Sequence, residues 1–433
     1  MPPAWLRRDD PGRGGIRDLP RGLHAQLQDG RSVPPAVRTA AEGLIAAGLH
    51  HAELDPSWSA LGGESALLLA RREWIQRVEF GTVPGEFDGA VGPGAIETEP
   101  LTLSPTSLEK IARCPFQFLG TRLLGLDEVE DPEGQQVPDA RALGKICHKV
   151  LEDFFRAPAA MSIPDEVVAP RVRERLAIRA GEFERREPVG PELVWLRWQE
   201  VLGELLPVVA LEERQRMRAA GRRPAAFEKS CGTLIPLEQG QERLVLKAHG
   251  YLDRLDVAAD GGAGLEVVDY KFTLTSKLSW RTSKKDPLGE RKAVEMALAG
   301  RGLQLPLYLR MAETAGAGRP ALDDRGTLVF FGPNLPGAPV TRRGLSRQVW
   351  EGDGGRRLRE TLFVLARVAR DGIFPIIPSE RNCFYCPLTL VCRKNHAPSR
   401  ARGEKLLAQT GLDQLGRETE EDEEATRAGE GAP

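Results

Sequence analysis

Between Leu244 and Phe272 the chain reads LVLKAHGYLDRLDVAADGGAGLEVVDYKF, and no other stretch constrains the fold as strongly. Two runs of alternating apolar and polar residues flank Asp260-Gly261-Gly262, the pattern of a β-hairpin. Strand side chains repeat every second residue. Leu265, Val267, Asp269 and Lys271 therefore share one face, and Glu266, Val268, Tyr270 and Phe272 the other. Asp253 and Asp269 lie equally far from Gly261 and are expected opposite one another on neighbouring strands. Like charges directly opposed across a sheet repel. A divalent cation between them reverses the sign, because hard oxygens suit Mg²⁺. The competing reading puts Asp253, followed by Arg254 and Asp256, on a solvated edge strand; a lone D-x-K triplet does not decide between the two.

The 433 residues are enough for two or three domains. A net charge of −2 carries no global basic signature, so contact with nucleic acid has to come from a local patch. No apolar run approaches the roughly 18 residues of a membrane span, and the opening MPPAWLRRDDPGRGG lacks the apolar core of a signal peptide. A cytoplasmic protein with no membrane contact is expected.

Residues 1–100 read as a leader region with helical patterns over 37–49 and 65–78 and no recognisable catalytic group. Ser104 and Pro105 start a helix that Cys114-Pro115 ends or resets. From Ala140 to Phe155 the apolar residues Leu143, Ile146, Cys147, Val150, Leu151, Phe154 and Phe155 follow the spacing of an amphipathic helix, with His148 at the edge of the stripe. Gly144 costs about 1 kcal/mol against Ala inside a helix and hints at a close approach. Residues 160–225 read as helical, and the arginines from Arg214 to Arg223 as a solvated face or a phosphate-contacting patch. Phe227 to Leu237 reads as a strand antiparallel to the hairpin, carrying Glu228. A polar, basic stretch from Thr273 to Glu295, with Trp280 inside it, reads as a mobile loop near nucleic acid or simply an exposed one. Gln304 opens a helix and Tyr308 follows one turn later on the same face. Gly326 to Gly332 reads as a buried strand, Leu358 to Ala369 as an amphipathic helix, and 399–433 as an acidic, disordered tail. Gly144-Lys145 lacks the remaining residues of a Walker A loop, so ATP hydrolysis is not encoded here.

Of six cysteines, Cys147 and Cys231 lie alone and read as packing residues. Cys114 and the C-x2-C-x5-C set Cys383, Cys386 and Cys392 make four thiolates for one centre. Zinc and a [4Fe–4S] cluster both accept such a set. Because Cys114 and Cys383 are far apart in sequence, the centre would clip the two ends of the intervening domain together.

Taken in order, SPTSLEKIARCPFQFLGTRLLGL, LGKICHKVLEDFF, GYLDRLDV, VVDYK, LQLPLYL and CFYCPLTLVC resemble the RecB-like nuclease domain of the PD-(D/E)XK superfamily. The nearest likeness is to the C-terminal nuclease domain of AddB-type helicase–nuclease subunits, which have an iron–sulfur staple. The resemblance covers roughly residues 85–396; the large helicase-like domains of those subunits are not in this chain, which is expected to be a stand-alone relative or the tail of a longer product. It implies an α/β, restriction-endonuclease-like fold over 101–398, a mixed sheet flanked by helices and closed by the four-cysteine centre. It implies His148, Asp253, Asp269 and the Tyr270 carbonyl as ligands of Mg²⁺ or Mn²⁺, with Lys271 catalytic and Gln304 and Tyr308 near the DNA. Cys114, Cys383, Cys386 and Cys392 would hold the [4Fe–4S] cluster, with zinc as the alternative occupant. Asp269 fills a position that accepts Asp or Glu, and the role of Glu228 is open. The implied activity is metal-dependent cleavage of DNA, exonucleolytic on single-stranded ends, in recombinational repair with a helicase partner. The rival is a non-catalytic DNA-binding or scaffolding subunit, against which the intact Asp253, Asp269 and Lys271 set speaks.

Overall fold

The hairpin forms as its alternation predicts, with longer strands on its first side. In the computed structural model, which describes residues 75–96, 100–126, 138–276, 278, 280, 282–314, 321, 324–335, 338–384 and 386–415, β2 is Arg222–Gln239, β3 Glu242–Ala258 and β4 Leu265–Phe272. β3 and β4 are antiparallel with Arg254 against Val268 and Asp256 against Glu266; one further step of that register sets Asp253 against Asp269. β2 pairs antiparallel along β3. β1 (Leu101–Leu103) lies parallel to β3 at 246–248. β5 (Arg325–Phe331) runs parallel to β4, and β6 (Val340–Ser346) antiparallel to β5. The result is a six-stranded mixed sheet in the order β1-β3-β4-β5-β6, with β2 beside β3.

Helices cover both faces, as the two-sided apolar pattern of β4 requires. One core holds Leu265 and Val267 with residues of α1 (Pro105–Arg113), α5 (Glu290–Leu298), α6 (Gln304–Thr314) and α7 (Gly352–Asp371). The other holds Val268 and Tyr270 with α2 (Ala140–Arg156), α3 (Asp165–Glu184) and α4 (Glu192–Ala219). α1 starts as expected: the Ser104 hydroxyl accepts from the Ser107 N–H and Pro105 takes the first turn. Asp139 caps α2 through the Ala142 N–H at 2.7 Å.

The long ribbon of β2 and β3 changes phase near Glu228 and Asp253, and β2 shifts register between Pro224 and Ala226. Cys231, Ile235 and Leu237 of β2 and Leu246, Ala248 and Leu252 of β3 belong to the first core. Past Glu228 and Asp253 the residues facing that core are Ala226 and Leu255, one position out of step, while Phe227 and Arg254 turn towards the second. Glu228 adopts φ 45°, the one positive φ of a non-glycine residue among the described residues. Left-handed backbone at such a residue costs energy and persists where the surroundings impose it.

Three expectations need correction. The arginines of 214–223 are not a uniformly solvated or phosphate-facing patch. Arg214 is buried, and Arg216 and Arg222 join a buried ionic cluster with Glu213, Arg254, Asp256, Glu266 and Arg342. In it Arg254 Nε donates to Asp256 Oδ1 at 2.9 Å, Arg342 Nε to Glu213 Oε1 at 3.0 Å and Arg222 Nη1 to Glu266 Oε2 at 2.8 Å. Trp280 is not in an exposed basic loop but buried, its Nε1 donating to the Gly289 carbonyl at 2.7 Å. The acidic tail does not begin at 399: α8 (Ala397–Thr410) continues through the described chain into a short turn at Leu412–Gln414. Leu412 joins the first core and Leu407 and Leu415 pack against it, a spacing hidden among charged neighbours. The leader patterns over 37–49 and most of 65–78 lie outside the described residues.

Residues 75–88 and 393–403 belong to a unit of their own. There Arg402 Nε donates to Asp88 Oδ2 at 2.7 Å, and its terminal nitrogens to the Val78 and Gly81 carbonyls at 2.9 and 2.8 Å.

Candidate active site

The apolar stripe of α2 buries in the second core and leaves His148 on the flank that faces the phase change in the ribbon. His148 Nδ1 stands 3.4 Å from Asp253 Oδ2, and the same oxygen accepts the Tyr270 N–H at 2.8 Å. His148, Glu228 and Asp253 each offer a ligand atom, and these atoms lie within 4.8 Å of one another. Glu228 stands opposite Asp253 in the β2–β3 register, so its strained backbone aims a third carboxylate at the cluster.

Asp269 sits close enough to act on all of them. Burial, with the Asp269 charge second, pushes the Asp253 carboxyl well above the usual carboxylate range. Glu228 is pushed up by burial as well, with Glu152 and Asp269 adding to it. Burial lowers His148 against the pull of Asp269, which keeps a ring nitrogen lone pair available. Lys271 Nζ lies 2.6 Å from Asp269 Oδ2; burial works against its charge, but Asp269, Asp253 and Glu109 outweigh it and hold the ammonium protonated.

Gln304 opens α6 and Tyr308 follows one turn later. Tyr308 is buried and senses both Asp269 and Asp253. It packs under β3 so tightly that a Cβ on Gly250 would come 2.9 Å from Tyr308 Cε1. That is the close approach expected at Gly144, where a Cβ would meet Phe272 at an ordinary 3.6 Å. The Gln304 N–H donates to Glu109 Oε1 at 3.3 Å. Glu109, pushed up by burial, also lies near Lys271 and so links the Gln304–Tyr308 helix to the lysine. Glu109 escaped sequence reasoning because a single Glu in the second turn of α1 looks like any surface position.

A divalent cation fits this donor set. The Asp269 charge raises both Asp253 and Glu228, a repulsion that a bound cation would relieve, and oxygen donors with one imidazole suit Mg²⁺ or Mn²⁺.

At the other end of the domain, Cys114 stands between α1 and the one-turn helix Pro115–Phe118. Burial pushes its thiol up to about 11, and Cys392 and Cys386 lie near enough to add to the shift. Cys383 is on the one-turn helix Glu380–Phe384, its carbonyl accepting the Cys386 N–H at 3.4 Å and its Sγ the Ser379 N–H at 3.5 Å. Leu388 fixes this segment against Gly120, where a Cβ would come 2.4 Å from Leu388 Cδ1. Cys386 and Cys392 thus lie within charge range of Cys114, with Cys383 three residues before Cys386.

With the geometry in view, the family follows. Residues 102–393 match the PD-(D/E)XK nuclease superfamily, more than half of the chain, and the chain belongs to it. The chain is 29% identical over 242 residues to an ATP-dependent helicase/deoxyribonuclease subunit of Moorella thermoacetica (strain ATCC 39073 / JCM 9320), across 49% of this chain and 18% of that relative. The chain therefore spans less than a fifth of the relative's length. A solved structure entitled "Crystal structure of SSO0001" aligns over 57% of this chain and 94% of its own at 16% identity and a TM-score of 0.22, too low to bear on the fold.

Proposed function

We propose that this chain is a Mg²⁺- or Mn²⁺-dependent deoxyribonuclease, exonucleolytic on single-stranded ends, which works in recombinational DNA repair beside a helicase partner in the cytoplasm. The observation that carries the reading is the gathering of His148, Glu228 and Asp253 within 4.8 Å, with Asp269 and Lys271 beside them. Hydrolysis of a phosphodiester needs an activated water and neutralisation of the charge that develops on phosphate oxygens. Bound by His148, Glu228, Asp253, Asp269 and the Tyr270 carbonyl, a divalent ion supplies a Lewis acid and lowers the pKa of water. The Tyr270 N–H holds one Asp253 oxygen and so orients the carboxylate. Lys271, kept charged by Asp269, positions the attacking water and offsets phosphate charge. Gln304 and Tyr308 are proposed to lie near the DNA.

The helicase partner rests on the likeness to a helicase/deoxyribonuclease. The four cysteines are proposed to hold a [4Fe–4S] cluster as a clasp, with zinc as the rival occupant. A brown preparation absorbing near the blue edge of the visible range supports the cluster, and a colourless one containing zinc replaces it. Among the described residues no helix is long and apolar enough to cross a membrane.

The test is cleavage of end-labelled single- and double-stranded DNA with and without Mg²⁺. Asp269→Ala and Lys271→Ala should each lower the rate by about 10³-fold or more while DNA binding stays near wild type. Cleavage retained in either variant removes the assignment. A wild-type chain that binds DNA but cuts none, in Mg²⁺ or Mn²⁺, establishes the non-catalytic reading instead.

A further inference from the structure

β3 leaves the acidic cluster as one side of the ribbon it forms with β2. After Asp253 the side of the ribbon away from the first core carries Tyr251, His249, Lys247 and Val245 in turn. β2 sets Ser230, Gly232, Leu234 and Pro236 directly opposite them. The inner side is locked by Leu246, Ala248, Leu252, Cys231, Ile235 and Leu237, so the outer side is a firm surface. Yet its large residues face solvent: Tyr251 is 61% exposed, Leu234 58% and Val245 44%, and Lys247 and His249 are exposed between them. A solvated strand face has no physical need of a tyrosine two positions from an aspartate that binds an ion.

We propose that this strip is the bed of a single-stranded nucleic acid, with one base stacked on Tyr251 and the sugar–phosphate chain drawn along by Lys247. The inference rests on the nuclease reading above, because the strip lies on β3, the strand that carries Asp253 two residues beyond Tyr251. Two residues of strand advance about 6.8 Å, twice the about 3.4 Å between stacked nucleotides of one strand. The strip therefore matches an extended, unstacked strand whose bases are free to meet an aromatic face. Gly232, opposite His249, leaves no side chain to block the bed beside Tyr251. Aromatic faces interleaved with cationic side chains are the chemistry that binds single strands without reading sequence. A protein partner would instead favour a continuous apolar patch, and here Lys247 and His249 interrupt it. Lys145, exposed on α2 three residues before His148, adds positive charge to the helix that carries the metal-binding histidine.

The full chain is titrated into fluorescein-labelled oligo-dT in Ca²⁺, followed by anisotropy. Tyr251→Ala should lose roughly tenfold or more in affinity, the weight of one stacked base, while Tyr251→Phe and Tyr251→Trp stay within about threefold of wild type. Lys247→Ala should weaken binding and reduce the slope of log affinity against log salt by about one. A thermal midpoint equal to wild type shows that the Tyr251→Ala chain is folded. Equal single-strand affinity in wild type and Tyr251→Ala overturns the strip whether or not the chain cuts DNA. A variant that leaves DNA binding intact but changes self-association or capture of a protein partner overturns it too. The two readings separate cleanly: cleavage by Asp269→Ala sinks the nuclease, whereas the strip stands or falls on Tyr251 alone.

Discussion

Asp253 is the residue on which the charge balance of the site turns. Burial and the Asp269 charge raise its carboxyl, so the folded chain holds a proton there at pH values where an unfolded aspartate has lost it. Between those two pKa values the folded state binds more protons, and this group's contribution to stability falls as pH rises through the folded pKa. Ion binding requires the carboxylate, so it should release a proton and tighten with pH until Asp253 is ionised. Calorimetric titration of Mn²⁺ in two buffers of different ionisation enthalpy checks this, and an apparent enthalpy independent of buffer contradicts it. Asp253→Asn keeps an acceptor for the Tyr270 N–H and removes the repulsion. It should stabilise the metal-free chain at neutral pH by on the order of 1 kcal/mol while abolishing stabilisation by added Mn²⁺, as thermal melts will read. At this scale the pair of aspartates and the lysine were legible, because period-two alternation and equal distance from a turn dictate who faces whom. Glu109 was not. Its meaning comes from Gln304 and Lys271, which are distant in sequence.

At the scale of elements, the ribbon and α2 place the site, and the ionic cluster behind Tyr270 keeps them in register. Arg254 stacks over the Phe155 and Tyr270 rings and reaches Glu213, Asp256 and the Tyr270 hydroxyl. Burial raises Asp256 even beside Arg254, whereas Glu213, despite burial, is held far below the usual range by Arg254, Arg216 and Arg342. The cluster is thus held by its arginines. Arg254→Leu would strand buried carboxylates and should cost about 3–5 kcal/mol, measured by urea unfolding; a loss under about 1 kcal/mol would mean that the cluster is not needed for stability. The strands, α6 and α7 could be read from their patterns. The phase change at Glu228 and Asp253 could not, because both strands shift together and the local alternation of each side looks regular. The length of α8 was hidden for a different reason: its few leucines are diluted by charge.

For the whole molecule, the proposed cysteine clasp would decide how the domain closes. Cys114 precedes the sheet's long strands and the other three follow them, so one centre held by all four would tie the first helix to the last segment of the nuclease fold. Cys386→Ser should lower both the metal content and the thermal midpoint and expose the 375–392 segment to protease; an unchanged midpoint in a metal-free variant dismisses the clasp as a structural element. The sequence by itself determined the hairpin, the faces of its strands, the stripe of α2 and the supply of hard oxygens and thiolates, because each depends on short-range periodicity and side-chain chemistry. Only the tertiary structure decided that Glu228 joins His148 and Asp253, that Tyr308 fills the space under Gly250, and that the arginines after α4 serve the interior. Those outcomes depend on which distant elements pack together, and burial then sets the charge on each group that packing brings near.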